Sequence, residues 1–363
     1  MKVLIMGFGK IKFMPYLNIY LENIDREKND VHLLYWNRDL QEEDTSHLEN
    51  ITLHEFRCYQ KDDVSKLTKS ESFLKYRAFA LSILKKEGFD FLYIVHSLTG
   101  VVVCDYVCRN YKNKYIFDYR DFTYEDFLPF KGAVGNLVRN SRLTFVSSDA
   151  FRIYLPPTEM KKIRTIHNID MNKTGDFKLI KNKASADVIR IGFWGFIRDE
   201  KINRKIIEAI GTDSRFQLHY YGREQQIAEN LKSFVIENNI NNVFFHGEYN
   251  PEEKFEFIKN IDLIHNIYDD KGAMLALGNK FYDSLLFKIP QVCMPCSFMG
   301  RLAEKDGVGF TCNPYTEGFT DKLYNGLNKL QRESFEKSCN ELLRRFTEEN
   351  RKNIDYIVNL QEI

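Results

Sequence analysis

The chain has 363 residues, 52 Lys and Arg against 51 Asp and Glu, and a formal net charge of +1. That balance excludes a strong global field for nucleic acid. A hydrophobic share of 44% excludes a disordered chain, and the length fits about two ordinary domains.

The apolar start Val3-Leu4-Ile5-Met6 stops at Gly7, so it reads as a buried strand and not as a signal peptide. Gly7-Phe8-Gly9-Lys10 follows. A strand running into a glycine turn and then a helix opens many nucleotide-binding α/β domains. Lys12 stands where the third glycine of a dinucleotide fingerprint belongs, and the second strand, Val31 to Trp36, leads into Asn37, Arg38 and Asp39 without a clear ribose-binding acid. Further strands are expected at Ile51–Phe56, Phe89–His96, Tyr115–Tyr119, Leu143–Ser147 and Ile163–His167, with helical patterns such as Glu71–Glu87 between them. Such alternation predicts a mostly parallel sheet covered on both faces, whose ligands sit beyond the carboxyl ends of the strands. The apolar run Phe91–Cys108 is broken by His96, Ser97, Thr99, Gly100 and Asp105, so no segment reaches transmembrane length.

Two strand ends carry polar candidates. His96 reads either as a structural hydrogen-bonding residue or as an acid–base group. Asp118-Tyr119-Arg120-Asp121 places three charges where a buried strand should end. They must pair or face a cleft, because burying them unpartnered would be costly. Ser147-Ser148-Asp149 offers capping residues for another helix. Residues 171–187 are polar and nearly patternless, as a linker would be.

Strand–helix alternation restarts at Val188–Trp194. The turn after it carries Arg198 and Lys201, which suit phosphate oxygens or simply a solvated loop. Strands at Phe216–Tyr221, Val243–His246 and Ile261–Asn266 follow, with Tyr249 in the loop after Gly247 free to stack on a base or to pack. Gly272–Val292 reads as loop, helix, turn and strand. Asn279 is the expected N-cap, and Phe281, Leu285 and Leu286 form the apolar stripe. A helix N-terminus with Lys280 beside it suits a phosphate, and Asp283 one turn on could accept from ribose hydroxyls. The alternative is an ordinary amphipathic helix with a solvated Lys and Asp. Cys293 and Cys296 form a Cys-x-x-Cys without a second pair. Like the other five cysteines they read as reduced core thiols, which points to the cytoplasm. The tail from Glu333 to Leu360 is helical, with Phe335, Cys339, Leu342, Leu343 and Phe346 on one side.

The segment Asn279, Lys280, Phe281, Asp283, Leu285, Pro290 resembles the donor-binding motif of GT-B glycosyltransferases, in particular the family-4-like sugar transferases of bacterial polysaccharide synthesis. Asp283 stands where Glu is usual, and Leu275 stands where that family often has another Glu. Arg120-Asp121 resembles the family's Arg-Asp or His-Asp pair at the cleft edge. The resemblance implies two Rossmann-like α/β domains with mostly parallel sheets facing a cleft. It places an acceptor domain at 1–170, a linker at 171–187 and a donor domain at 188–344, with a tail helix from about 345 to 363 returning to the first. It also implies Asp121 and Arg120 as catalytic candidates, to which the reading of the strand ends adds His96. Arg198, Lys201, Tyr249, Asn279, Lys280 and Asp283 would bind the donor, and the Gly7/Gly9 loop would lie at the cleft. The expected partners are a nucleotide-diphosphate sugar and a glycan or lipid-linked acceptor, with a peripheral contact to the inner face of the membrane and no nucleic acid. No Asp-x-Asp triplet occurs, so a mechanism without a metal or other cofactor is expected, with retention of configuration implied by the family. Three rivals remain: a sugar-nucleotide epimerase of the same plan, a nicotinamide-dependent oxidoreductase using Gly7-x-Gly9, and a nucleotide-binding protein that transfers nothing.

Overall fold

A computed structural model describes residues 1–61, 66–169, 188–250 and 253–360. The expected linker, 171–187, lies outside the described residues. The chain divides into two compact units, Met1–Asn168 with Glu348–Ile363, and Ile169–Thr347.

The first unit holds a seven-stranded parallel sheet. Its strands are β1 (Lys2–Met6), β2 (Asp30–Asn37), β3 (Ile51–Arg57), β4 (Phe91–Val95), β5 (Tyr115–Tyr119), β6 (Leu143–Val146) and β7 (Ile163–Thr165). They lie in the order β3-β2-β1-β4-β5-β6-β7. β4 and β5 are buried along their whole length, as strands covered on both faces must be. The second unit repeats the plan with six strands: β8 (Ile189–Trp194), β9 (Phe216–Tyr221), β10 (Val243–Phe245), β11 (Leu263–Asn266), β12 (Gln291–Cys293) and β13 (Gly309–Thr311). Their order is β10-β9-β8-β11-β12-β13, and all pairs are parallel. In each sheet the order reverses beside the first strand, between β1 and β4 and between β8 and β11. A crevice opens at the carboxyl ends of such a pair, because the flanking connections leave in opposite directions.

Two glycine turns are pressed together at the end of the second unit's sheet. Gly222 has φ +148°, and a Cβ there would stand 1.8 Å from the Gly195 carbonyl oxygen. A side chain at 222 would therefore displace the turn that leads to Arg198. The tail is a single helix, Arg332–Asn359. Its end is stitched to the first unit by buried Asn350, which accepts from the His167 amide at 2.7 Å and donates to the His167 carbonyl at 2.8 Å. Ile357 and Leu360 join that unit's core.

Three local expectations are corrected. The glycine turn after β1 does not open a long helix. It runs into 3-10 turns at Ile11–Phe13 and Pro15–Leu17 and a single helical turn, Asn18–Leu21. Pro15 has no N–H to donate and biases the residue before it away from the helical region. Ser148 precedes a 3-10 segment, Asp149–Tyr154, without capping it through its side chain. The helix over Asn279–Phe287 has Gly278 in the N-cap position, and Asn279 is its first helical residue.

Candidate functional site

In the second unit the strand-end residues converge around Lys280. The Asn279–Phe287 helix begins at the carboxyl end of the sheet, and its first turn carries Lys280 inward, 9% exposed. The ammonium lies 4.1 Å from the Phe193 ring centroid and donates to the Tyr268 hydroxyl at 2.5 Å. Among the described residues no carboxylate forms an ion pair with it. Burial, with the charge of Arg198 adding, pushes the Lys280 amine down to about 7, while Asp283 opposes the shift. Burial, with the charge of Lys280 adding, pushes His265 down to about 3. A buried ammonium with aromatic walls, one hydroxyl acceptor and a helix N-terminus beside it makes a site for an incoming anion.

Arg198 is exposed and stands over the Tyr268 ring at 6.0 Å. Lys201 is also exposed and stands over Tyr315 at 5.5 Å. Tyr315 in turn donates to Asp269 at 2.5 Å. Asp199, at φ +64° ahead of the Glu200–Gly211 helix, faces this group. Its carboxyl is raised to about 6 by burial and then by Asp270, with Arg198 opposing. Basic and acidic side chains thus share the crevice between β8 and β11.

Asp283 is buried and both its oxygens are engaged. One accepts from the Trp194 indole at 2.7 Å and the other from Lys254 at 2.9 Å. A carboxylate has further lone pairs, so it can still accept from a ligand, but it is held in place by the protein first. Tyr249 packs edge-on against Phe257 at 5.2 Å. Burial, with the Asp283 charge adding, raises its hydroxyl to about 12. Of the donor-binding residues expected from sequence, Lys280 and Arg198 gather around Tyr268, and Asp283 and Tyr249 lie beside them; Asn279 begins the helix and Lys201 sits farther out on the aromatic rim. Sequence reasoning missed Tyr268, Trp194, Phe193 and Lys254. The first three follow the rule that residues at or just past a strand's carboxyl end meet the ligand; Lys254 had no local signal.

The first unit has its own strand-end group. His96 has φ +81°, a conformation that costs a non-glycine residue about 1–3 kcal/mol. It is held there by its own amide, which donates to the Asp118 carbonyl at 2.8 Å. Its Nδ1 accepts from the Leu98 amide at 3.2 Å at the start of the Ser97–Asn110 helix. Nδ1 being the acceptor, the neutral ring carries its proton on Nε2, and Nε2 lies 3.6 Å from Asp121 Oδ2. Burial pushes His96 below its ordinary value, with Asp121 opposing.

Asp118 and Arg120 form a buried ion pair at 2.7 Å, and Tyr20 also donates to Asp118 at 2.7 Å. The Arg120 guanidinium lies over Tyr16 at 4.7 Å and is 4% exposed. Arg120 is therefore committed to Asp118, whereas Asp121, 63% exposed, is open to a ligand. The epimerase alternative needs an acid and a base from Asp118–Asp121, and Asp118 is already occupied. Gly7 and Gly9 are also occupied. The Gly7 carbonyl accepts from Tyr76 at 2.7 Å and the Gly9 carbonyl from the Trp36 amide at 3.1 Å. Met14 fills the space over Gly7. The helix N-terminus that would cradle a dinucleotide pyrophosphate is replaced by 3-10 turns, which removes the physical basis of the nicotinamide reading.

Among the described residues no group of three or more His, Cys, Asp or Glu is arranged to hold a metal ion, and no helix is long and apolar enough to cross a membrane. All seven cysteines are free thiols.

No protein-family model matches the chain, and no curated protein sequence matches it. Solved structures do. That of HepE from Anabaena with UDP and glucose superposes with a TM-score of 0.69 at 16% identity, over 98% of this chain and 99% of that one. HepE has also been seen with UDP-glucose. Sucrose-phosphate synthase from Thermosynechococcus elongatus gives 0.68 at 12% identity, over 96% and 94%. A glycosyltransferase from Rickettsia africae gives 0.68 at 12%, over 98% and 97%. The chain has the GT-B fold of these proteins.

Proposed function

We propose that the chain is a glycosyltransferase that takes a sugar from a nucleotide-diphosphate sugar held by the second unit and passes it to a glycan or lipid-linked acceptor handled by the first. The observation that carries this reading is Lys280, a buried ammonium at a helix N-terminus with no carboxylate ion-paired to it among the described residues, beside Arg198 in the crevice between β8 and β11. A diphosphate supplies the missing negative charge. The shared fold with proteins solved with UDP and UDP-glucose supports the nucleotide sugar as ligand.

In this reading Lys280 and Arg198 neutralise the charge that develops on the departing diphosphate, which lowers the barrier to breaking the glycosidic C–O bond. Asp283, braced by Trp194 and Lys254, accepts from the ribose hydroxyls, and Tyr249 packs beside the nucleoside. In the first unit Asp121 and His96 meet the acceptor or the transferred sugar, where a carboxylate–imidazole pair can orient a hydroxyl and take its proton. We further propose a polysaccharide-building role and retention of configuration on the family resemblance, and no metal requirement on the lack of an Asp-x-Asp triplet in the sequence; a peripheral membrane contact would suit a lipid-linked acceptor.

A thermal-shift panel of UDP, GDP, ADP and TDP with their sugars, each at 1 mM or roughly a hundred times a 10 μM dissociation constant, tests the reading. One base is expected to raise the midpoint as its diphosphate and its sugar, by an amount equivalent to about 2.7 kcal/mol, and far less as its nucleoside. No shift with any diphosphate would overturn it. Incubation with the sugar nucleotide alone separates an epimerase, which interconverts its substrate, from a transferase, which waits for an acceptor. A protein that binds the nucleotide and transfers to no acceptor would be the inactive binder that Leu275 keeps open.

A further inference from the structure

Asp121 lies two residues beyond the end of β5 in an irregular loop and is mostly solvent-exposed. Such a residue would ordinarily sample many positions, yet its carboxylate stands against His96. The next residue after His96, Ser97, is fully buried, and its Oγ lies 2.9 Å from Thr123 Oγ1. Thr123 Oγ1 in turn donates to the Asp121 carbonyl at 3.3 Å. Each hydroxyl has one proton to give. Since that of Thr123 goes to Asp121, the Ser97 hydroxyl must donate to Thr123, and the chain runs in one direction from the His96 helix to the Asp121 backbone. On the other side the Thr123 amide donates at 2.5 Å to Glu125, a residue only 2% exposed. The loop is thus tied to a buried carboxyl at one point and to the residue after His96 at another.

We infer that Thr123 is a positioning residue whose hydroxyl clasps the Asp121 loop to Ser97 and so holds the Asp121 carboxylate against the His96 imidazole. Its catalytic consequence rests on the function proposed above; the clasp itself does not. The charged groups facing His96 are Asp121, Asp118 and Arg120 from the end of β5, and Arg38 from the end of β2. Burial lowers the imidazole, and Asp121 is the largest opposing influence. Releasing the loop should therefore lower His96 further.

The test is the titration of the His96 ring proton by NMR, assigned with His96→Gln, in the unaltered protein, Thr123→Val, Thr123→Ser and Ser97→Ala. Valine keeps the shape and removes both roles of the hydroxyl, whereas serine keeps them. The expected result is a lower His96 midpoint in Thr123→Val and in Ser97→Ala, and an unchanged one in Thr123→Ser. UDP-glucose turnover, read as UDP release in the presence of acceptor, should show kcat reduced about ten- to a hundredfold in Thr123→Val, with KM for UDP-glucose unchanged and kcat recovered in Thr123→Ser. An unmoved His96 midpoint in both Thr123→Val and Ser97→Ala would overturn the clasp. A shifted midpoint in a protein that releases no nucleoside diphosphate from any UDP-, GDP-, ADP- or TDP-sugar of the panel would leave the clasp standing and overturn the transferase reading instead.

Discussion

Lys280→Met is expected to make the protein more stable at neutral pH while removing the ligand site. The lysine is 9% exposed, and its amine sits at about 7 in the folded protein against 10.5 ordinarily. In the unfolded chain it holds its proton up to the ordinary value. Between 7 and 10.5 the unfolded state therefore binds more protons than the folded one, and stability rises with pH across that window. Below about 7 both states are charged and the folded protein bears the whole cost of the buried ammonium. Methionine has nearly the same length and no charge, so it packs against Phe193 and Tyr268 without that cost. Replacing buried charge by a well-packed apolar side chain typically gains about 1–4 kcal/mol. Urea denaturation at pH 6 should show a gain of that order, shrinking as the pH is raised toward 10. A loss of stability at pH 6 would mean that the ammonium is satisfied in the unliganded protein and is not waiting for an anion.

Asp118→Asn is expected to have the opposite sign and the largest destabilising effect. Asp118 is fully buried, and its Oδ2 takes both the Arg120 guanidinium and the Tyr20 hydroxyl. Its Oδ1 and the Arg120 Nε find no partner among the described residues, and among those residues Asp118 is the carboxylate paired with the guanidinium, which otherwise has the Tyr16 ring beside it. Removing one member of a buried pair costs about 3–5 kcal/mol, a large part of a typical domain's stability of 5–15 kcal/mol. The double variant Asp118→Asn, Arg120→Met should recover most of the loss, since a pair replaced together is often near neutral. Equal losses in the single and double variants, measured by urea denaturation, would show that packing and not charge is at stake.

The parallel sheets were legible because their strands are buried on both faces and separated by helical patterns, and because glycine turns punctuate the strand ends. The anion site was legible in part, since a lysine just inside a helix N-terminus that follows a glycine is a local signal. What completes it was not local. Tyr268 stands 12 residues from Lys280, and Lys254 stands 29 residues from Asp283; only the parallel topology brings β8, β11 and their loops together. The charge cluster after β5 shows how far periodicity reaches. In extended chain, residues two apart share a face, so Asp118 and Arg120 meet, and Asp121 falls on the other side. The rule pairs Asp118 with Arg120 but does not by itself open Asp121, since Tyr119 on that other side is fully buried; Asp121 is exposed because it lies two residues past the strand end. The 3-10 turns after Gly9 were misread as a helix because the glycine pattern outweighed Pro15, and the helix cap was misplaced by one residue because glycine also serves at that position.

Isothermal titration of UDP-glucose at pH 6 and pH 8, with the unaltered protein and with Lys280→Met, tests the central claim most directly. The diphosphate of UDP-glucose is esterified at both ends and has no proton to lose in this range, so any pH dependence belongs to the protein. The ammonium is present at pH 6 and about nine-tenths lost at pH 8 in a group that titrates at about 7. The expected result is affinity about tenfold weaker at pH 8 than at pH 6 in the unaltered protein. In Lys280→Met it should be about ten- to more than a hundredfold weaker at pH 6 and nearly independent of pH. Undiminished affinity in Lys280→Met at pH 6 would contradict the assignment of this crevice to a nucleotide diphosphate.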